Sequence, residues 1–285
     1  MSQSGDELRK SATKKAKGIG PKKSKYEKAV NLYIAAGKAY EAEKNPVSSG
    51  ESYAEASKLQ EALENYSEAG KLAFEAGKSF SQSPIAHDLA FENFKRASRF
   101  LIISGKSVQA ADIYVQASKL FHKSSDFSLE IDCLQLASQL FSENDKQASS
   151  TQYLSLAAEA MVENNQLFEA SDLFASLGRR PGLNGLKQNI YATDFYTKAI
   201  LCKIAIGDIN AAESLYNEYV EELPGFTSLN EGIVIQALIS NIKAGDYDAA
   251  SRAITHFLQR HQQNLFYPRV FGIIRDSFEN EEDIC

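Results

Sequence analysis

Two runs, Gly77-Lys78-Ser79 and Gly105-Lys106-Ser107, place a lysine and a hydroxyl behind a glycine, as phosphate-binding loops do. Such a loop needs a second glycine five residues upstream so that its backbone N–H groups can curl around the phosphates, and here those positions are Leu72 and Phe100. Both runs therefore read as helix ends or turns. The stretch GIGPKKSK, Gly18 to Lys25, is glycine-rich and basic but follows no strand, so it reads as a linker. His87, His122, His256 and His261 lack HExxH spacing, and Cys133, Cys202 and Cys285 stand far apart, so neither a metal site nor a disulfide framework is predicted. No Ser/His/Asp or Cys/His signature appears, and the carboxylates spread along charged helix faces. The sequence predicts no enzyme, no cofactor and no small-molecule substrate.

What the residues do specify is a repeat. In AVNLYIAAGKAY, Ala29, Tyr33, Ala36 and Tyr40 follow a 4-3-4 spacing, small then large. The frame returns about every 20 residues: Ser49-Tyr53-Ala56, Gly70-Phe74-Gly77, Ala90-Phe94-Ala97, Ala110-Tyr114-Ala117, and with weaker first positions as far as Ala212-Tyr216. This spacing puts the residues on one face of an α-helix, and a 20-residue period leaves one helix and a short turn. Pairs of such helices make hairpins of about 40 residues, the unit of a helical-repeat array. Small residues let backbones approach, and the aromatic side chains fill the grooves beside them. Within LQEALENYSEAGKLAFEAG, Ala62-Tyr66-Ala69 also fits the frame, and periodicity alone does not place that helix break.

Turn signals fall between the units, at Asn45-Pro46, Ser83-Pro84, Ser104-Gly105, Ser125-Asp126, Asn144-Asp145, Asn164-Asn165, Gly207-Asp208 and Gly245-Asp246. The longest interruption, GRRPGLNGLKQN from Gly178 to Asn189, is the expected domain boundary. The fold class expected is all-α: a right-handed α-solenoid of tetratricopeptide-like antiparallel helical hairpins, capped by a C-terminal helical bundle. The segments are a basic N-terminal arm with the first helix and loop over 1–25, the helical-repeat solenoid over 26–178, the last repeat helices and the C-terminal helical bundle over 190–275, and a solvated acidic tail over 276–285.

Charge separates the ends. Residues 1–25 carry eight Lys/Arg against two Asp/Glu, whereas the whole chain has a formal net charge of −6, so the remainder is acidic. Basic residues interleave with aromatics in FENFKRASRF, but an acidic body with aromatics at core spacing argues against nucleic acid. No stretch reaches the roughly 18 to 20 uncharged apolar residues that span a bilayer, and the expected location is cytoplasmic.

The order of the words DFYTKAILC (Asp194 to Cys202), EELPGF (Glu221 to Phe226) and EEDI, together with the helical period, resembles the soluble NSF attachment protein (SNAP) family, the alpha type more than the gamma type. The resemblance implies an adaptor that binds SNARE complexes, syntaxin-type among them, and recruits an NSF-type AAA ATPase to take them apart, with peripheral attachment to membrane. It places Glu281, Glu282, Asp283 and Ile284 against the ATPase. The SNARE-facing basic candidates are Lys71, Lys95, Arg99, Lys106 and Lys198. At the family's basic positions, only Lys106 is basic here, while Asp112, Thr151, Ser155 and Thr193 are not. The aromatic membrane loop of the alpha type is replaced by Ile19 among Lys14, Lys15, Lys17, Lys22, Lys23 and Lys25, which leaves electrostatic contact with anionic membrane. The alternative reading is a diverged helical-repeat scaffold that binds other helices or peptides.

Overall fold

A computed structural model describes residues 3–180, 186–261 and 264–282; for 186–190, 224 and 279–282 it describes the backbone alone. Among the described residues the chain is all-α, with no strand. Two compact units divide between Tyr153 and Leu154. Unit 1 contains α1 (Gly5–Lys17), α2 (Lys22–Ala42), α3 (Pro46–Glu61), α4 (Tyr66–Phe80), α5 (His87–Ile103), α6 (Ser107–Lys123) and α7 (Phe127–Glu143). The division falls inside α8 (Gln147–Glu163). Unit 2 continues with α9 (Leu167–Gly178), α10 (Leu186–Ile206), α11 (Ile209–Glu222), α12 (Asn230–Lys243), α13 (Tyr247–Arg260) and α14 (Phe266–Glu282).

The break that periodicity leaves open lies at residues 62–65: α3 stops at Glu61 and α4 starts at Tyr66. Eight inter-helix turns close in one way. Each puts a residue in the left-handed region, at Lys44, Glu64, Gly105, Ser125, Asp145, Asn165, Gly207 and Gly245. The next residue then donates its N–H to the carbonyl five back, as from Asn45 to Tyr40 at 2.9 Å and from Asp126 to Phe121 at 2.9 Å. This closure satisfies carbonyls that a helix end otherwise leaves without donors. Asn45, Asp126, Asp208 and Asp246 then cap the following helix, each accepting from the backbone N–H three residues on.

Within the helices the small-large frame becomes a specific contact. Ala29 and Ala36 are fully enclosed, with Tyr33 and Tyr40 buried beside them. The rings lie on glycines of the preceding helix: Tyr40 on Gly5, Tyr53 on Gly37, Phe80 on Gly50, Phe94 on Gly77 and, in unit 2, Tyr196 on Gly178. A Cβ at any of these glycines would come within 3 Å of the ring. The rings continue into a buried aromatic path, with Phe94 edge-on to Phe121 at 6.1 Å and tilted against Phe74 at 5.6 Å. Buried serines at the close approaches find acceptors across the interface: Ser57 donates to the Ala69 carbonyl at 2.8 Å and Ser171 to the Ala199 carbonyl at 2.9 Å.

Ion pairs also tie helices two apart. Arg9 on α1 meets Glu51 on α3 at 2.6 Å, and Arg96 and Arg99 on α5 share Glu61 at the end of α3. His87 at the start of α5 meets Asp126 at the start of α7 at 2.7 Å.

In unit 2, α10 is the central helix and packs against α9, α11, α12 and α14. The ring of Tyr196 on Gly178 and the Ser171 bond to Ala199 both bridge the Gly178–Asn189 interruption, so α9 belongs with α10. Repeat packing therefore continues across this loop.

Gly50→Ala tests the ring contact. Alanine gains up to about 1 kcal/mol of helix propensity over glycine, but its Cβ would lie 2.8 Å from the Phe80 ring. Displacing a packed ring costs about 1–3 kcal/mol, so urea denaturation is expected to show a net loss. Gly272→Ala, at a helical site where a Cβ meets nothing within 4 Å, is expected to gain stability instead. Equal shifts of the two variants would refute the contact's importance.

Candidate functional site

The acidic end is built on α14. Val270, Phe271 and Ile274 are buried, and Phe278 stacks on Tyr247 of α13 with centroids 4.9 Å apart. The segment from Asp276 is thus a helix as far as Glu282, anchored by a buried ring, and not the solvated tail that its composition suggests; only Asp276 and Ser277 show open side chains before Phe278. An isolated phenylalanine among carboxylates gives no periodic signal, yet it falls four residues after Ile274, on the same face. Glu281 and Glu282 form the end of the helix, where neither has a basic neighbour in the last turn. Asp283 and Ile284 lie outside the described residues.

The basic candidates stand on different helices and in different surroundings. Lys71 on α4 is exposed and pairs with Glu68 at 2.6 Å. Lys95 on α5 is exposed, pairs with Glu92 at 2.8 Å and lies over the Phe91 ring; the hydrogen bond to Glu92 outweighs the lowering caused by loss of solvent and holds its pKa above the ordinary lysine value. Arg99 is exposed and shares Glu61 with the partly buried Arg96. Lys106 sits at the N-cap position of α6, exposed and without an ion pair among the described residues. Asp112 is exposed on the same helix, whereas Thr151 and Ser155 on α8 are half-buried. Thr193 is buried and shares a hydrogen with the Tyr219 hydroxyl at 2.8 Å, so it belongs to a core and not to a partner-facing surface.

Lys198 is the clearest correction. It is 3% exposed, on α10, with its ammonium 2.7 Å from Glu159 of α8 and 2.9 Å from Asp194 one turn earlier. The Phe174 and Phe266 rings lie 5.6 and 5.4 Å from its nitrogen. Burial lowers its pKa, but the two carboxylates outweigh burial and leave it above the ordinary value. Asp194 also accepts from the Tyr267 hydroxyl at 2.8 Å, and burial followed by the Asp194 charge pushes that phenol well up. Lys198 is a buried brace joining α8, α10 and α14, so it is unavailable to a partner. The i, i+4 spacing of Asp194 and Lys198 is the sequence signal for this pairing; Glu159, 39 residues away, has none.

The basic N-terminal segment is built on α1. A capping box formed by Ser4 and Glu7 starts α1, Ala12 is enclosed, and the Tyr40 hydroxyl donates to Asp6. Lys14, Lys15 and Lys17 occupy the last turn, where they complement the helix dipole. The connection to α2 exposes Ile19 completely, and Lys25 donates to the Gly18 carbonyl at 3.2 Å. Lys22 and Lys23 open α2, with the ammonium groups of Lys22 and Lys25 near the Tyr26 ring. GIGPKKSK is therefore a tight helix-to-helix corner that presents one isoleucine among lysines. No helix among the described residues is long and apolar enough to cross a membrane.

Stacked helical hairpins with exposed corners define a protein of the helical-repeat class. The family model for the soluble NSF attachment proteins matches residues 3–278, so the chain belongs to the SNAP family. It is similar to the vesicular-fusion protein SEC17 of Coprinopsis cinerea, 33% identical over 82% of this chain and 80% of the relative. It is also similar to the alpha-soluble NSF attachment proteins of Saccharomyces cerevisiae, 25% identical over 91% and 88%, and of Vitis vinifera, 22% identical over 98% and 96%. As a member of this family the chain is a non-enzymatic adaptor of vesicle fusion.

Proposed function

We propose that this adaptor holds SNARE complexes, including syntaxin-type members, along its repeats and recruits an NSF-type AAA ATPase to its acidic C-terminal end for SNARE disassembly. The observation that carries the proposal is the end of α14. Carboxylates in the last turn of a helix face the negative end of its dipole, at a cost of about 0.3–1 kcal/mol each at an exposed site. Glu281 and Glu282 are the last two residues of α14, and that turn contains no basic residue, a composition suited to a basic partner surface, with Ile284 as its apolar anchor.

In ATP-driven disassembly with purified SNAREs and ATPase, deletion of residues 280–285 is expected to abolish stimulation, and Ile284→Ala to reduce it at least tenfold. Unchanged activity of either variant would sink the tail assignment. The exposed cations Lys71, Lys95, Arg99 and Lys106 remain the SNARE-facing candidates, and Lys198 is withdrawn.

The exposed carboxylate of Asp112 and the burial of Thr193 favour a second reading, a repeat scaffold for other helical or peptide partners. Failure of the purified chain to retain either SNARE bundles or the ATPase would select it.

The corner between α1 and α2 suits peripheral contact with anionic membrane, at about 1 kcal/mol per lysine near the surface. Phosphatidylserine vesicles are expected to float the wild-type protein at low salt and to lose the variant carrying glutamate at positions 22, 23 and 25. Flotation that survives both high salt and these substitutions would refute the contact.

A further inference from the structure

Among the described residues of unit 1, the large apolar side chains left exposed are Ile19, Ile85, Leu89, Ile102, Ile103 and Val108. Ile102 and Ile103 end α5 and Val108 opens α6, so one corner gathers three of them, at 43%, 54% and 38% exposure. Single exposed aliphatics are ordinary on a protein surface, whereas a cluster with a polar rim marks a protein or membrane contact. The corner is also cationic. From 93 to 111 the charged residues are Lys95, Arg96, Arg99 and Lys106, with no carboxylate, in a chain whose net charge is −6. Arg96 and Arg99 share the single carboxylate of Glu61, which leaves positive charge in excess. Lys106, at the tip, is exposed and has no ion pair among the described residues. Ile85 and Leu89, by contrast, flank the exposed carboxylate of Asp88.

The order of the hairpins sets where this corner points. Each helix from α1 to α6 packs on the next. Arg9 meets Glu51 early in α1 and α3, and Glu61, the last residue of α3, meets Arg96 and Arg99 in the later half of α5. The Tyr66 ring at the start of α4 lies 6.1 Å from Phe100 near the end of α5. Helices α1, α3 and α5 therefore run the same way, and their C-terminal corners emerge on one edge of unit 1. The first of these corners holds Ile19 among lysines, and the middle one, 62–65, adds only the carboxylate of Glu64. The two outer corners thus repeat one chemistry, exposed aliphatics among cations, and face the same side. A flat partner with a negative surface and an apolar interior meets both at once, and an anionic bilayer is such a partner. We propose that the α5–α6 corner is a second point of contact with anionic lipid, at which Ile102, Ile103 and Val108 enter the boundary between headgroups and acyl chains while Lys106 and Arg99 meet the headgroup anions. This contact extends the membrane reading of the α1–α2 corner and shares its partner, but it rests on different residues.

The test is flotation of the full chain with phosphatidylcholine vesicles that contain phosphatidylserine. Ile102→Ser combined with Ile103→Ser is expected to lower the bound fraction at least fivefold, and Lys106→Glu at least threefold at low salt. Loss in the isoleucine variant but not in the variant carrying glutamate at 22, 23 and 25 supports this contact and refutes the one at α1–α2. The reverse pattern overturns this proposal and leaves the α1–α2 contact standing. Melting curves identify a variant that fails to fold, and a label gives a second measurement that does not depend on lost binding. Nitrobenzoxadiazole on Val108→Cys, in a chain that also carries Cys285→Ser, is expected to brighten and shift to the blue when the vesicles are added; Cys133 and Cys202 are buried and stay unlabelled. No spectral change with vesicles overturns the proposal. A label that responds to a lipid-free SNARE bundle and not to vesicles also overturns it, and makes the corner a protein-facing surface.

Discussion

Gly232→Ala is expected to cost about 3–5 kcal/mol in urea denaturation, comparable to losing a buried phenylalanine, although it adds a single methyl group. A Cβ on Gly232, in the first turn of α12, would fall on the carbonyl oxygen of Phe226, well inside contact distance. That oxygen belongs to the backbone of the 3-10 helix Pro224–Ser228, so no rotamer change can relieve the clash. The backbone must shift, and with it Phe226, which is fully buried against Tyr219 at 4.7 Å and Tyr216 at 5.8 Å. Near-UV circular dichroism, which reports tyrosines here because the chain has no tryptophan, is expected to weaken in parallel. Gly225→Ala, where a Cβ meets nothing within 4 Å, serves as the control and is expected to stay within about 0.5 kcal/mol of wild type. Matching stabilities of the two variants would defeat the prediction.

The second large effect is expected from Lys198→Met. Removing one member of a buried ion pair costs about 3–5 kcal/mol when its partner is left enclosed. Here Glu159 and Asp194 retain 34% and 38% of their side-chain exposure and can be partly rehydrated, which reduces the expected loss to about 2–3 kcal/mol. The pH dependence has a definite sign. Lys198 has a folded pKa raised above the ordinary value of 10.5, so its contribution is complete below the unfolded value and is lost only as pH rises through the folded one. The stability gap between wild type and Lys198→Met is therefore expected to stay level from about pH 6 to 9. A gap that narrows steadily across that range would show that the ammonium is not the source. Retained SNARE binding by folded Lys198→Met would agree with a bracing role.

The repeat was legible because its signal is a period: helix faces, the all-α class and most turns follow from where small and large residues fall. The helix break at 62–65 was not, since Glu64 takes a left-handed conformation that its side chain does not announce, whereas Gly105, Gly207 and Gly245 do. The site was less legible for the same reason that charge patterns mislead. Lys198 looks like any helical lysine until Glu159 is brought in from another helix, and Thr193 looks polar until Tyr219 covers it. Phe278 looked like part of an acidic tail, yet one ring in register with Ile274 suffices to carry α14 onward. Sequence reports the periodic part of a fold well and the pairwise part poorly.

The ring-on-glycine contacts have a consequence for how such a chain can change over generations. Gly37 cannot acquire a side chain while Tyr53 covers it, and Tyr53 cannot shrink without leaving a hollow over Gly37. Each glycine and its ring therefore drift as one character, and either change alone is selected against. Relatives that carry alanine or serine at a covered glycine should carry a smaller residue at the ring position on the next helix. Five such couplings, Gly5 with Tyr40, Gly37 with Tyr53, Gly50 with Phe80, Gly77 with Phe94 and Gly178 with Tyr196, make the spacing of the helices a heritable trait recorded in pairs of positions.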